Sequence, residues 1–380
     1  MLPTCEPEEV GLSSERLQRA FSLLQRWTED GTLPGATALV ARHGKIAGRY
    51  YTGWARIEPQ PVPIQPDTIF AVASVTKPFT ATGLMLLVER GLVSLDQPVR
   101  TLLPEFAGPS RDRITLRHFL THTSGLPEYA PNNEEIRRRH LGLEAFVEAY
   151  CQGEPLFEPG TRHSYSNYGF GLTGEIISRV SGRGYHQFIQ EEILSPLGMK
   201  DSYLQPPEEV WERIAWVWAP NEPHTDYERY NSPYFRRLGI PWGGLYTTPE
   251  DLAVFAHLFL TEGRSAEGKI ISVATAREMA RDQLRGIPGG ISSSSESWRS
   301  ASWGIGWDVK GLKCPHSTGQ LTSPQTFSHS GSAGSLLWAD PATDVICVLI
   351  ANRTLESGWT TNEMPRQALF SNAVAASVID

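Results

Sequence analysis

Residues 74–91 read SVTKPFTATGLMLLVERG. Apolar residues crowd the second half of this stretch, and its composition predicts a helix running on from Lys77 to about Gly91. Ser74 and Lys77 form the only Ser-x-x-Lys in 380 residues. Residues three apart on a helix share a face, so the Lys77 amine is expected beside the Ser74 hydroxyl. A serine hydroxyl is a weak nucleophile until a neighbouring base takes its proton. A lysine buried near a helix N-terminus can be that base, because desolvation and the positive end of the helix dipole both favour the neutral amine. The alternative is an ordinary helix start, with Ser74 as a cap and Lys77 in solvent.

Two further segments bear on that choice. Tyr165-Ser166-Asn167 is the only Tyr-x-Asn in the chain, and His329-Ser330-Gly331-Ser332 precedes an apolar, strand-like run. Ser-x-x-Lys, then Tyr-x-Asn, then a Lys/His-Ser/Thr-Gly triplet resembles the ordered active-site elements of the serine β-lactamase and penicillin-binding-protein superfamily. The flanking sequence is similar as well: ITLRHFLTHTSGLP (114–127), FEPGTRHSYSNYGFGLTGEIISRVSG (157–182), SPLGMKDS (195–202), PWGGLYTTPEDLAVFAHLFL (241–260) and SHSGSAGSLLWADPATDVICVLIANR (328–353). These segments cover the chain from about Pro34 to Arg353. Within the superfamily the chain most resembles class C β-lactamases and their esterase relatives, the family VIII carboxylesterases.

The resemblance implies an α+β fold, an α/β sandwich in which a central antiparallel sheet is flanked by helices. A mainly helical lobe stands beside it, with the active-site cleft between. It implies one catalytic domain over residues 1–380, with residues 1–75 and 245–380 in the sheet-containing lobe and 76–244 in the helical one. It implies Ser74 as nucleophile of an acyl-enzyme, with Lys77 and Tyr165 as the general-base pair. A free tyrosine titrates near pH 10, but a neighbouring ammonium and hydrogen bonds to the phenolate can pull that value down. Which of the two takes the Ser74 proton stays open at this level. The backbone amides of Ser74 and Ser332 are implied as the oxyanion hole. Asn167 is expected to bond Lys77 or a substrate amide or carbonyl, and Gly331 to allow close approach of a substrate backbone. Trp242 is expected on the cleft wall. Trp211, Trp216, Trp218, Trp303, Trp307 and Trp338 are further candidates for an apolar wall, or for the core. His118 and His122 are read as structural.

The departure is His329. The family's β-lactamases and D-Ala-D-Ala carboxypeptidases usually carry Lys there, and its charge helps to hold a substrate carboxylate. A histidine is mostly neutral at pH 7, and His at this place is common among the family's esterases and aminopeptidases. A carboxylesterase is therefore the first reading. A peptidase or amidase for D-amino-acid substrates, with weak β-lactam hydrolysis, is the second, followed by an acyltransferase and a catalytically silent binding protein.

Composition narrows the partners. A net charge of −8 argues against nucleic acid or an anionic membrane, both of which call for basic surface. No apolar run approaches the roughly 20 residues of a membrane helix. Cys5, Cys151, Cys314 and Cys347 are scattered, without a Cys-x-x-Cys, so neither a disulfide framework nor a zinc site is expected. MLPTCEPEEV at the N-terminus lacks a basic and then apolar leader pattern, and a cytoplasmic enzyme with free thiols is expected. No metal or cofactor is called for; the partner is a small ester or amide. Gly-x-Ser-x-Gly and His-Glu-x-x-His are absent, which removes the α/β-hydrolase elbow and the zincins. The stretch 263–269 mimics a P-loop but lacks the Ser/Thr that ligates magnesium, and is read as a surface loop.

Helices are predicted over 12–30 (capped by Ser13 or Ser14), 134–150, 170–193 in two pieces, 249–262 and 362–378. Strands are predicted around a His43-Gly44 turn within 36–53, and at about 302–309, 326–330, 334–340 and 344–351. The Gly/Ser-rich stretch 285–302 reads as a mobile loop.

Overall fold

The computed structural model describes residues 1–220, 224–265, 268–290 and 301–380. Its frame is a seven-stranded antiparallel sheet: β1 (Gly35–Arg42), β2 (Lys45–Arg56), β3 (Val62–Pro63), β4 (Asp308–Val309), β5 (Phe327–Gly331), β6 (Ser335–Asp340) and β7 (Val345–Ala351), in the spatial order β4-β5-β6-β7-β1-β2-β3. The first two strands turn at His43 and Gly44, both with positive φ, 53° and 71°. That pair of left-handed residues makes a tight hairpin whose twist matches the strands it joins. Antiparallel pairing of β1 with β7, from Ala36 opposite Ala351 to Arg42 opposite Val345, stitches the start of the chain to its end. The sheet is therefore complete only once both ends have met.

Alternation decides which face each strand residue covers. Ala36, Ala38 and Val40 of β1, with Val345, Cys347 and Leu349 of β7, pack beneath α1 (Ser14–Glu29) and the C-terminal helix over Arg366–Ala375, through Leu17, Phe21, Leu24, Phe370 and Val374. Leu39 and Ala41, with Val348 and Ile350, turn to the opposite face. There they join the core that includes Leu252, Phe255 and Phe259 of the helix Pro249–Leu260. With both faces covered, β1 and β7 are buried along their whole length, so they read as continuous apolar runs rather than alternating ones. Helix α2 (Thr76–Glu89) lies behind the second layer, where Phe79 stacks on Phe255 at 3.6 Å between ring centroids. Twelve of its fourteen residues are buried, which explains its all-round apolar character.

Several expectations need correction. Residues 134–150 are two helices, α3 (Asn133–Arg138) and Leu143–Cys151, not one. His140 is left-handed (φ 51°) and Gly142 caps the second piece. The strand predicted at 302–309 is confined to Asp308–Val309. Ser74 does not open the long helix. It sits in a 3₁₀ turn, Ala73–Val75, and α2 starts at Thr76. Of the expected mobile loop, residues 291–300 lie outside the described residues. All four cysteines are free, and no helix among the described residues is long and apolar enough to cross a membrane.

Candidate active site

The 3₁₀ turn carrying Ser74 is held from two sides. On one, the chain from Phe70 runs antiparallel to 245–247, with Ala71 opposite Tyr246 and Val72 N–H donating to the Leu245 carbonyl (3.0 Å). Thr76 Oγ1 donates to the Ala73 carbonyl (2.6 Å) and accepts from Leu245 N–H (2.9 Å). On the other side, Ser335 Oγ of β6 donates to the Val72 carbonyl (2.9 Å). A Cβ placed on Gly331 would lie 2.1 Å from that same carbonyl oxygen. Gly331 therefore serves the packing of β5 against the nucleophile's turn. Ala73, between them, is left-handed with φ 46°. This costly conformation for a residue with a Cβ persists because its neighbours over-determine it.

Lys77 is wholly buried, and its Nζ lies 3.0 Å from Ser74 Oγ and donates to the Trp242 carbonyl at 2.8 Å. Burial holds the amine well below its ordinary pKa, against a smaller opposing pull from Glu128. A neutral amine has two N–H donors and one lone pair. Nζ also donates to Ser74 Oγ in this arrangement, and once deprotonated it can keep one N–H on Trp242 and turn its lone pair to the Ser74 proton. Sequence reading placed Trp242 on the cleft wall through its ring. The ring does line the cavity, but the backbone carbonyl, which carries no sequence signal, is what orients Lys77.

The Tyr165 hydroxyl is near enough to Ser74 for that hydroxyl to favour its phenolate, and Lys77 Nζ lies 4.8 Å from the Tyr165 ring centroid. Burial pushes the phenol well above its ordinary pKa, outweighing the effect of Ser74. Burial therefore works against the anticipated drop towards neutrality, because it penalises the phenolate. The 122–128 segment sets the position of this loop. His122 Nδ1 accepts from Ser166 N–H (3.1 Å), the Pro127 carbonyl from Ser166 Oγ (2.7 Å), and the Glu128 carbonyl from Asn167 N–H (3.1 Å). The His122 ring packs 4.3 Å from that of Tyr165.

Asn167 begins the helix Tyr168–Ser181, and its Oδ1 is buried without a hydrogen-bond partner. The contact with Lys77 is not formed; Asn167 faces the cavity beside Ser74 instead. Ser332 follows β5, and its Oγ is 2.7 Å from Tyr230 Oη. Among the described residues neither the Ser74 amide nor the Ser332 amide has a backbone acceptor, which leaves both as donors. His329 is buried in β5, its Nδ1–H donating to the Ser330 carbonyl (2.8 Å) and its Nε2 unpartnered. Burial and the nearby Lys77 lower its pKa to about 3, so the ring is neutral. Of the other tryptophans, Trp303 packs against His122, Tyr165 and His329, Trp307 and Trp338 belong to the core, and Trp216 and Trp218 are exposed. Trp211 stacks on Arg236 and Arg237. Trp242 alone among them lines the cavity.

The Beta-lactamase family model matches residues 20–365. The chain belongs to the β-lactamase family. Among curated proteins in this family it is 28% identical to the esterase EstB of Burkholderia gladioli, over 93% of this chain and 94% of that protein. It is also 28% identical to protein Rv1367c of Mycobacterium tuberculosis, over 84% and 86% respectively. A solved penicillin-binding-protein homologue from Caulobacter crescentus superposes with a TM-score of 0.79 at 25% identity, covering 97% of this chain and 99% of that one. Membership places the chain among serine hydrolases: esterases, β-lactamases and D-alanyl-peptidase-like proteins.

Proposed function

We propose that this protein hydrolyses carboxylic esters through an acyl-enzyme on Ser74. Neutral Lys77 takes the Ser74 proton as Oγ attacks the ester carbonyl, and the Ser74 and Ser332 amides receive the oxyanion. Tyr165, beside Ser74, gives its proton to the departing alkoxide and recovers one from Lys77. Water then enters from the vacated side, and the same groups run the proton path in reverse, releasing the acid.

The observation that carries the ester reading is His329. On the strand β5, where a β-lactam or D-alanyl peptide needs a cation for its carboxylate, this chain presents a neutral imidazole locked onto the Ser330 carbonyl. An ester with an uncharged alcohol half loses nothing there. The esterase among its relatives supports the same reading.

The test is initial rates on p-nitrophenyl esters from acetate to octanoate, on D- and L-alanyl p-nitroanilides and on nitrocefin, with Ser74→Ala as control. Ester cleavage well above anilide and nitrocefin turnover, lost in Ser74→Ala, is the expected outcome. Preferential D-alanyl anilide cleavage would replace the esterase by an amidase using the same residues. Undiminished ester cleavage by Ser74→Ala would remove the nucleophile assignment.

A further inference from the structure

The cavity that opens on Ser74 is lopsided in charge. Among the described residues, Arg137 and Arg229 line it and no Asp or Glu does. Its floor is apolar, formed by Phe146, Phe235 and Trp242 among others. Arg229 is paired with Glu356 at 2.7 Å. Arg137, on α3, makes no ion pair among the described residues, and its Nε is buried without a hydrogen-bond partner. Its neighbour Arg138 takes Glu135, one of the two acids of that helix. Close by, wholly buried Tyr150 packs its ring 5.3 Å from Trp242, and its hydroxyl also lacks a partner. Burial pushes the Tyr150 phenol well above its ordinary pKa, and Arg137 is near enough to oppose that rise in part.

A guanidinium with a buried, unsatisfied N–H carries a desolvation cost that an anionic ligand removes. A planar fork of N–H donors matches a carboxylate in particular, through two parallel charge-assisted bonds.

The cavity also has a side. The leaving group must depart towards its proton donor, Tyr165, which packs with His122, Trp303 and His329. None of these four lines the cavity. Since the proton donor and the rings around it are absent from the cavity's lining, we assign the cavity to the acyl half of the substrate. It measures about 40 Å³, a few water-sized spheres, which suits a short chain.

We propose that Arg137 is a specificity-determining residue that binds a carboxylate at the far end of a short acyl group, so that the preferred substrates are monoesters of small dicarboxylic acids. This rests on the ester reading above and names its substrate class. The missing cation at His329 and the free one at Arg137 then make one picture: a negative charge is accepted on the acyl side of the scissile bond and not on the leaving side.

The experiment compares p-nitrophenyl hemiglutarate with p-nitrophenyl pentanoate, which share chain length and leaving group and differ by one terminal carboxylate. Wild type is expected to favour the hemiglutarate in kcat/KM by about ten- to a hundredfold, the worth of a charge-assisted hydrogen-bonded pair. Rising NaCl should narrow the gap. Arg137→Met should collapse the ratio, mainly through KM for the hemiglutarate, and Arg137→Lys should restore part of it. A second measurement is independent of turnover: calorimetric binding of glutarate to Ser74→Ala, expected to be lost when Arg137→Met is added. A wild-type ratio near one, or a ratio unaltered by Arg137→Met in a protein that melts normally, overturns the proposal and leaves the esterase reading standing. If no ester is cleaved, the esterase reading fails. Glutarate binding that depends on Arg137 would then still support the anion site, and its absence would overturn that site too.

Discussion

Replacing Gly331 by alanine tests the link between β5 and the nucleophile. An added Cβ would stand 2.1 Å from the Val72 carbonyl oxygen and 2.4 Å from Ser335 Oγ. The Ser335 hydroxyl can rotate away, but it then gives up its bond to the same carbonyl. The carbonyl itself belongs to a turn already strained at Ala73 and fastened to Leu245. Relieving the clash to ordinary van der Waals distance needs roughly 1 Å of movement between β5 and the 72–74 backbone. That movement changes the separation of the Ser74 and Ser332 amides, which must converge on one oxygen. A misplacement of about 1 Å costs on the order of a hundredfold in rate, and loss of one oxyanion donor costs about 10²–10³ in kcat. We therefore expect kcat for p-nitrophenyl butyrate to fall by about two orders of magnitude, with the loss in the acylation burst rather than in KM. Ser330→Ala, one residue away on the same strand, is the control, and thermal melting separates misfolding from misalignment. A Gly331→Ala enzyme within threefold of wild-type kcat would refute the argument that this contact sets the oxyanion hole.

Three other outcomes follow from the site and its surroundings. Tyr165→Phe keeps the ring against His122 and removes only the hydroxyl beside Ser74; kcat should drop by about 10²–10⁴, and a near-wild-type rate would take Tyr165 out of proton transfer. The pH profile of kcat/KM should rise along one limb as Lys77 loses its proton, with a midpoint below the ordinary lysine value because burial lowers it. A limb at the free-lysine value, or none, would argue against the neutral amine as base. Burial raises the carboxyl pKa of Asp251 to about 6 despite bonds from Ser202 Oγ and Asp201 N–H. The folded state therefore holds this proton between about pH 4 and 6, where the unfolded chain has released it, and the group's contribution to stability falls as pH rises through that window. Chemical denaturation of Asp251→Asn and wild type across pH 4 to 8 should give curves that diverge over that interval in favour of the variant; parallel curves would contradict the raised value.

Much of the fold was legible because it is written in local patterns. Ser13 caps α1 by accepting from Arg16 N–H, as the sequence of that helix suggested. The His43-Gly44 turn between two apolar runs is a hairpin, and Pro249 with Glu250 and Asp251 starts a helix. What was misread had a non-local cause. The break at His140–Gly142 interrupts a pattern that looks continuous, and the 3₁₀ turn at Ser74 exists because β5 and the 245–247 segment clamp it.

The same division holds for the site. The residue types and their order (Ser74 with Lys77, then Tyr165 with Asn167, then His329 with Gly331 and Ser332) are properties of the chain, readable from one sequence. Their states are not. Whether Lys77 is charged depends on how completely water is excluded from it, and whether Tyr165 ionises depends on the charge of Lys77. The Trp242 carbonyl reaches Lys77 only because the chain at 241–247 is folded along 70–76. Arg137 stands out only when its position on the cavity wall and its lack of an acidic partner are seen together, since in sequence it is one of three consecutive arginines. Local sequence specifies which groups are available, through backbone preference and spacing. The tertiary fold alone specifies dielectric and proximity between distant segments, and those two quantities set proton affinities and decide which group a substrate meets.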